Sequence, residues 1–261
     1  MSAMNIAATG MMAQQTNVQV IANNIANLNT TAFRRQRAEF QDLLYQTERR
    51  EGSNSSENNT IVPVGVQIGT GVKTAAVYQI TTQGNLAQTS NPLDIAIQGR
   101  GFFQILMPDG TISYTRDGSF QLSPTGEIVT ADGYIVEPGI TVPQNTTAIS
   151  VNVSGQVQAQ VAGQTIPQTV GQLQLANFAN EAGLELLGNN LYAQTAASGP
   201  PVTGNPGTVA FGQLQQGFLE TSNVDIVTEI TNMITAQRAY EMNSKVIQTS
   251  DQMMSTLNQI Q

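Results

Sequence analysis

Histidine and cysteine are both absent from the 261 residues. Their loss removes the commonest general base, the commonest soft metal ligands and the thiol nucleophile, so a catalytic reading has only carboxylates, Ser or Lys to rest on. Without cysteine there are no disulfide staples and no thiols to mispair in an oxidising compartment, which suits a periplasmic destination. Charge is scarce too: Asp, Glu, Lys and Arg make up 11% of the chain, and Gln, Asn and Thr supply most of its polarity. Ten basic residues stand against eighteen acidic ones. Phosphate contact needs clustered cations, so no nucleic-acid partner is expected. Only Arg34, Arg35 and Arg37 form a dense basic cluster of three, and they read as a solvated helix end or turn. Met1 to Gly10 lacks the basic start and continuous apolar run of a cleavable leader. Asn and Gln interrupt every window of about 20 residues, so no membrane span is expected either.

What is present begins with a heptad. Met4, Ala7, Met11, Gln14, Val18, Ile21, Ile25 and Leu28 recur at coiled-coil spacing, which predicts a helix from about Met4 to Thr30. No charged residue occurs between Met1 and Phe33, and the positions away from this seam carry Asn5, Gln15, Asn17, Gln19, Asn23, Asn24 and Asn27. A helix bathed in water normally uses Lys and Glu there; uncharged amides can hydrogen-bond to neighbouring helices without the cost of burying charge. At the other end Ile226, Met233, Tyr240, Ile247 and Met254 stand seven apart, with Ile230, Ala236 and Leu257 filling the adjacent stripe. This is a second long helix, with Ser222 or Asn223 as candidate cap and Asp225 in its first turn. Two long amphipathic helices at opposite ends of one chain most simply pack together and bring the termini into one layer. Two exposed apolar stripes would leave a lone subunit under-buried, so the helices are expected to be surrounded by others in an assembly, with a simple intramolecular pair as the alternative.

The middle is β-like, with alternation in Val64, Val66, Ile68 and in Leu93, Ile95, Ile97. Turns are marked by Asp109-Gly110, Asp117-Gly118, Asp132-Gly133 and Pro124-Thr125-Gly126. An Asp directly before Gly serves turn geometry, so these carboxylates read as turn residues; a glycosidase reading would instead make Asp109 or Asp117 essential. Val151 to Gln172 alternates as further strands with one polar face, and Ser198 to Gly207 reads as a loop. Glu48 to Thr60 is polar and of low complexity, and composition alone makes it a flexible loop. The Gly99-Arg100-Gly101 fragment lacks a third glycine and a following helix, so it is a bend before a strand from Phe102 to Met107 rather than a phosphate cradle. No cofactor, metal or catalytic residue is expected. The fold class is α+β and multi-domain: long terminal helices forming a coiled-coil layer, with a β-rich domain inserted between them.

The segments Ala22-Asn23-Asn24-Ile25-Ala26-Asn27 and Thr30-Thr31-Ala32-Phe33-Arg34-Arg35 resemble the N-terminal signature of the flagellar rod and hook axial proteins. That family more often has Gly where Ala32 stands. Further blocks agree: Gln98-Gly99-Arg100-Gly101-Phe102-Phe103, then Tyr114 to Phe120 with Arg116 and Gly118, and Gln237-Arg238-Ala239-Tyr240 near the end. The stretch from Arg37 to Gln46 and the ending Glu220-Thr221-Ser222-Asn223-Val224 look most like the distal-rod members of the family.

The resemblance implies a hollow helical polymer that carries torque, its inner wall built from the terminal helices and its outside from the β domain. It implies as partners other copies of the chain, proximal rod proteins, the hook protein, the L- and P-ring proteins and the flagellar type III export apparatus, in the basal body and without a cleaved leader. It also implies that about Gln46 to Gly65, including Glu48, Gly52, Ser53, Asn58, Val62 and Pro63, runs along neighbours and straightens the rod. On this reading Met4, Met11, Val18, Ile21, Ile25, Leu28 and the five C-terminal heptad positions pack the polymer. The domains divide as 1–33 with 224–261, 34–84 with 208–223, and 85–207. A proximal-rod or hook subunit, or a secreted β-rich adhesin, are the alternatives.

Overall fold

The computed structural model describes residues 2–51 and 64–260, and side-chain surroundings for 3–51 and 64–256. The chain forms two compact units: residues 1–26, 36–79 and 225–261 in one, residues 27–35 and 80–224 in the other.

The first unit contains α1 (Ser2–Ala26), β1 (Gln36–Asp42), β2 (Tyr45–Arg49), β3 (Val66–Gly69), β4 (Val72–Gln79) and α2 (Ile226–Ile260). Both expected helices are present. α1 is about 37 Å long and α2 about 52 Å at 1.5 Å per residue. α1 ends at Ala26, four residues before the expected limit. Leu28 therefore lies beyond the helix, in a turn where Thr30 N–H bonds to the Asn27 carbonyl at 3.2 Å. The cap of α2 also differs from expectation. Asp225, not Ser222 or Asn223, accepts the Val227 N–H at 3.1 Å and the Thr228 hydroxyl at 2.7 Å. β1 pairs antiparallel with β4, and β2 with β3. Two hydrogen bonds, from Leu43 to Gly71 and from Thr70 to Leu44, carry the ladder across the break between the pairs. The result is one continuous two-stranded ribbon.

The second unit holds the remaining strands, from β5 (Leu86–Gln88) to β20 (Phe218–Glu220). Its centre is β6 (Ile95–Gln98), β7 (Phe102–Leu106) and β8 (Ile112–Thr115). One edge of β7 pairs with β8; the other pairs first with Leu175 and Ala176, then with Ile135 and Val136. Alternation along β7 sends Phe103 and Ile105 into a large aliphatic core with Ile95, Ile97, Val157 and Leu173. Phe102 faces the other way, into a smaller cluster with Tyr114, Phe178 and Tyr192, where rings meet edge to face at centroid distances of 4.8–5.9 Å. The Asp-Gly readings hold at two of the three turns: Gly110 and Gly133 have φ of +83° and +84°, and Asp109 accepts the Thr111 N–H at 2.9 Å; Asp117-Gly118 instead lies in an extended stretch between Thr115 and Ser119, without a positive φ at Gly118. Where a loop was expected over Ser198 to Gly207, the strand Val202–Gly204 pairs with Leu175–Asn177, whose outer edge would otherwise lack partners.

Candidate functional site

In the first unit the two helices meet through small and polar side chains. A methyl group placed on Gly10 would lie 2.9 Å from the side-chain amide nitrogen of Asn243, so Gly10 leaves room for that amide against α1. Near the opposite end of α1, Asn24 Nδ2 donates to Glu229 Oε2 at 3.1 Å. These two contacts make the pair antiparallel. Along α2 the residues turned inward are Glu229, Ala236 and Ser250, all buried, with half-buried Asn243 between them; they stand seven apart. On α1, Ala7, Ala13, Val20, Ile21 and Asn24 are buried, between α2 and the strands β1 and β4 that also pack on this helix.

This seam is not the apolar heptad read from the sequence. Of the positions expected to pack, only Ile21 is fully buried within the chain. Met4, Met11, Val18, Ile25, Leu28, Met233 and Ile247 are half-buried. Ile226, Tyr240 and Met254 remain 42–44% exposed, and Met12 and Met242 are more open still. Asn24, expected to face away, is buried: besides Glu229 it donates to the Gln36 carbonyl at 2.9 Å and accepts the Gln36 N–H at 2.8 Å, tying the start of β1 to the helix. Asn23 and Arg238 are exposed. A groove lined by Gln15, Val18, Gln19, Gln237, Tyr240 and Glu241 opens along the pair. On the ribbon every residue of β2, Glu48 included, is exposed, as are Phe40, Leu44, Val64 and Ile68. Gly52, Ser53, Asn58, Val62 and Pro63 lie outside the described residues.

In the second unit, motif blocks far apart in sequence converge on one buried cluster. Arg116 and Glu220, 104 positions apart, form an ion pair at 3.0 Å with side chains 1% and 2% exposed. Arg116 Nη1 donates to the carbonyls of Gly99 and Gly101, each at 2.8 Å. Burial pushes the Arg116 guanidinium below its ordinary value, while the Glu220 carboxylate beside it pulls it back up. Glu220 Oε1 accepts the Gly84 N–H, and its backbone carbonyl accepts that of Ala32. Gly118 has no alternative, because an added Cβ would fall 1.7 Å from the Ile95 carbonyl oxygen. Arg34, expected to be solvated, is buried; it meets Glu181 at 2.9 Å and lies over the Phe102 ring. Thr30 donates its hydroxyl to Asn27 Oδ1, and Phe33 is half-buried nearby in the chain. Ala32 sits at φ +56°, the left-handed conformation that explains why Gly is usual there.

Sequence reasoning missed Glu181 as the partner of Arg34 and missed the polar seam. The seven-residue spacing of Glu229, Ala236, Asn243 and Ser250 was there to be found, but none of these is a large apolar residue, so a count of such residues passes over them. Among the described residues no helix is long and apolar enough to cross a membrane.

A chain with this helix pair and this motif cluster falls in the class of flagellar rod and hook axial proteins, on which three family models agree. Residues 4–34 match the flagella basal body rod protein family, residues 96–159 the flagellar hook protein FlgE/F/G D1 domain, and residues 215–260 the C-terminal region of the flagellar basal body rod FlgEFG proteins. The flagellar basal-body rod protein FlgG of Caulobacter vibrioides is 59% identical over 100% of this chain and 99% of its own length. That of Agrobacterium fabrum is 55% identical over 99% and 98%. The FlgF rod protein of Caulobacter vibrioides is 33% identical over 94% and 92%. The chain belongs to the FlgG family of flagellar basal-body rod proteins.

Proposed function

We propose that this chain is a structural subunit of the flagellar distal rod, polymerising with copies of itself into a rigid hollow shaft that passes torque from the motor to the hook. Its role is architectural rather than catalytic. The observation that carries this reading is the apolar stripe of Ile226, Met233, Tyr240, Ile247 and Met254, which the chain's own helix pair leaves half-buried or exposed. Large apolar side chains repeated at heptad spacing on a helix next to a charge-free one call for more helices, and neighbouring subunits would supply them. Contacts of this kind that do not close on themselves propagate into filaments. The terminal helices would form a coiled-coil layer in the polymer, with 1–33 and 224–261 as its helical part and 85–207 as the β-rich part.

The exposed ribbon supports a second contact. A two-stranded ribbon is marginal in water unless something covers it. We assign that cover to a neighbouring subunit, with about Gln46 to Gly65 as the straightening contact. The remaining partners follow from the same reading: proximal rod proteins below, the hook protein above, the L- and P-ring proteins around, and the type III export apparatus as the route out of the cell.

Two experiments test this. Replacing Ile25 and Ile247 together with Asp should abolish rod assembly, seen by electron microscopy of isolated basal bodies, while leaving the second unit folded; normal rods would defeat the packing role. Deleting Ser53 to Thr60 should give curved or fragile rods. Straight, stable rods after that deletion would remove the straightening role and leave the helical packing untouched.

A further inference from the structure

Beside the buried arginine cluster lies a cavity of about 240 Å³ with Arg34, Arg100, Arg116, Glu181, Thr81 and Gln83 in its wall. Its hydrogen-bond accounting does not balance. Arg116 is fully engaged, by Glu220 and by the carbonyls of Gly99, Gly101 and Ile97. Gln83 is engaged as well, donating to the Ile97 carbonyl and accepting the Gly99 N–H. Both oxygens of Glu181 are taken, one by Arg34 Nη1 at 2.9 Å and one by Arg100 Nε at 3.0 Å. Unspent donors remain on two arginines. Arg34, its side chain only 3% exposed, makes that one polar contact among the described residues, and its buried Nε has no partner. Arg100, 62% exposed, adds one bond to the Phe178 carbonyl, and among the described residues its Nη1 makes no hydrogen bond.

Three guanidiniums therefore face two carboxylates, Glu181 and Glu220, and the surplus is a positive charge with nothing but donors to offer. A buried guanidinium is an expensive group to leave partly unpaired. The ligand chemistry that completes it is an oxyanion, and a carboxylate matches the flat fork of a guanidinium best. Composition indicates where such a group comes from. With eighteen acidic and ten basic residues, and no Lys or Arg between Arg116 and Arg238, a second copy of the chain presents carboxylates far more often than cations. Asp132 and Glu185 are exposed examples.

We propose that this cavity is a receptor for a carboxylate side chain of a second copy of the chain, held by Arg34 and Arg100. The proposal rests on the self-assembling reading above and adds a polar, orientation-setting contact to its apolar ones. Reversing the exposed cation tests it. R100Q, which gives up only an exposed ion pair, should leave the melting of the soluble subunit nearly unchanged and lower the yield of completed rods several-fold, and R100E should lower it at least tenfold. Lys substitutions at an exposed carboxylate, Asp132 or Glu185 among those screened, should restore R100E rods. Rods of normal number from both R100E and R100Q would overturn the proposal; if the Ile25 and Ile247 double variant still fails to assemble in the same assay, the self-assembly reading stands without it. Titration of the subunit with sodium sulfate or acetate separates the other source. A saturable anion effect that R100E removes, with rods unaffected, would make the cavity a site for a free anion and likewise overturn the second-copy contact.

Discussion

At the scale of single residues, the Arg116–Glu220 pair shows how a buried charge is tolerated. Taking two ions out of water costs several kcal/mol each, and attraction repays this only when the remaining donors and acceptors are also satisfied. Here every Arg116 donor is placed and Glu220 uses both oxygens. Removing one charge breaks that arrangement. Glu220→Gln should destabilise the second unit by about 3–5 kcal/mol, read from the midpoint of chemical denaturation, since it strands a buried guanidinium. A loss below about 1 kcal/mol would mean that water reaches the pair. The motifs holding these residues were legible one by one, because Gly, Phe and Arg recur in short, specific blocks. Their convergence was not: no local pattern announces that a residue near position 100 closes on one near position 220. Nor did the clustering of Arg34 with Arg35 and Arg37 reveal that the first of them is buried over an aromatic ring.

At the scale of elements, the helices were the most readable part and their contacts the least. Seven-residue periodicity located both, yet the inward face of α2 is the stripe beside the apolar one. Apolar counting finds the face with the largest side chains, and in a subunit built to polymerise that face need not be satisfied by the chain itself. The strands show the complementary limit. The alternation in Leu93, Ile95 and Ile97 suggested one buried face, whereas Ile95, Ala96 and Ile97 are all buried because β6 is covered on both sides. The cap of α2 gives a prediction at this scale. The Thr228 hydroxyl, and after it the Val227 N–H, hold the Asp225 carboxyl below its ordinary value of 3.8. A folded value below the unfolded one gives a contribution that is present above the unfolded pKa and is lost as pH falls through the folded one. The start of α2 should therefore loosen only below about pH 4. Asp225→Asn, which still caps but does not titrate there, should flatten the acid limb of the helical circular-dichroism signal; an unchanged limb would show that other carboxylates govern it.

At the scale of the whole molecule, burial is unevenly distributed. The second unit has a continuous aliphatic core, with Ile95, Ile97, Phe103, Ile105, Leu173 and Leu175 all but sealed from water. The first unit has a helix pair with a narrow seam and a ribbon with no buried face along β2. Amide exchange follows such differences, since local opening is easiest where few apolar contacts must be broken. In the isolated subunit, β6, β7 and β8 should exchange slowest, β2 and β3 fastest, and the helices between them. In assembled rods the ribbon and helices should slow by orders of magnitude while the β core changes little. Equal protection of ribbon and core in the free subunit would contradict the division of labour described above.

The composition of the helical seam carries one more consequence. Alanine, glycine, serine and asparagine, which make up most of it beside Val20, Ile21 and Glu229, bring two helices close and fix their register, yet they remove little oily surface from water, so the pair is easy to part. On the self-assembling reading proposed above, a pair fastened this loosely lets the chain be drawn out and refastened elsewhere, with neighbouring copies supplying most of the holding strength.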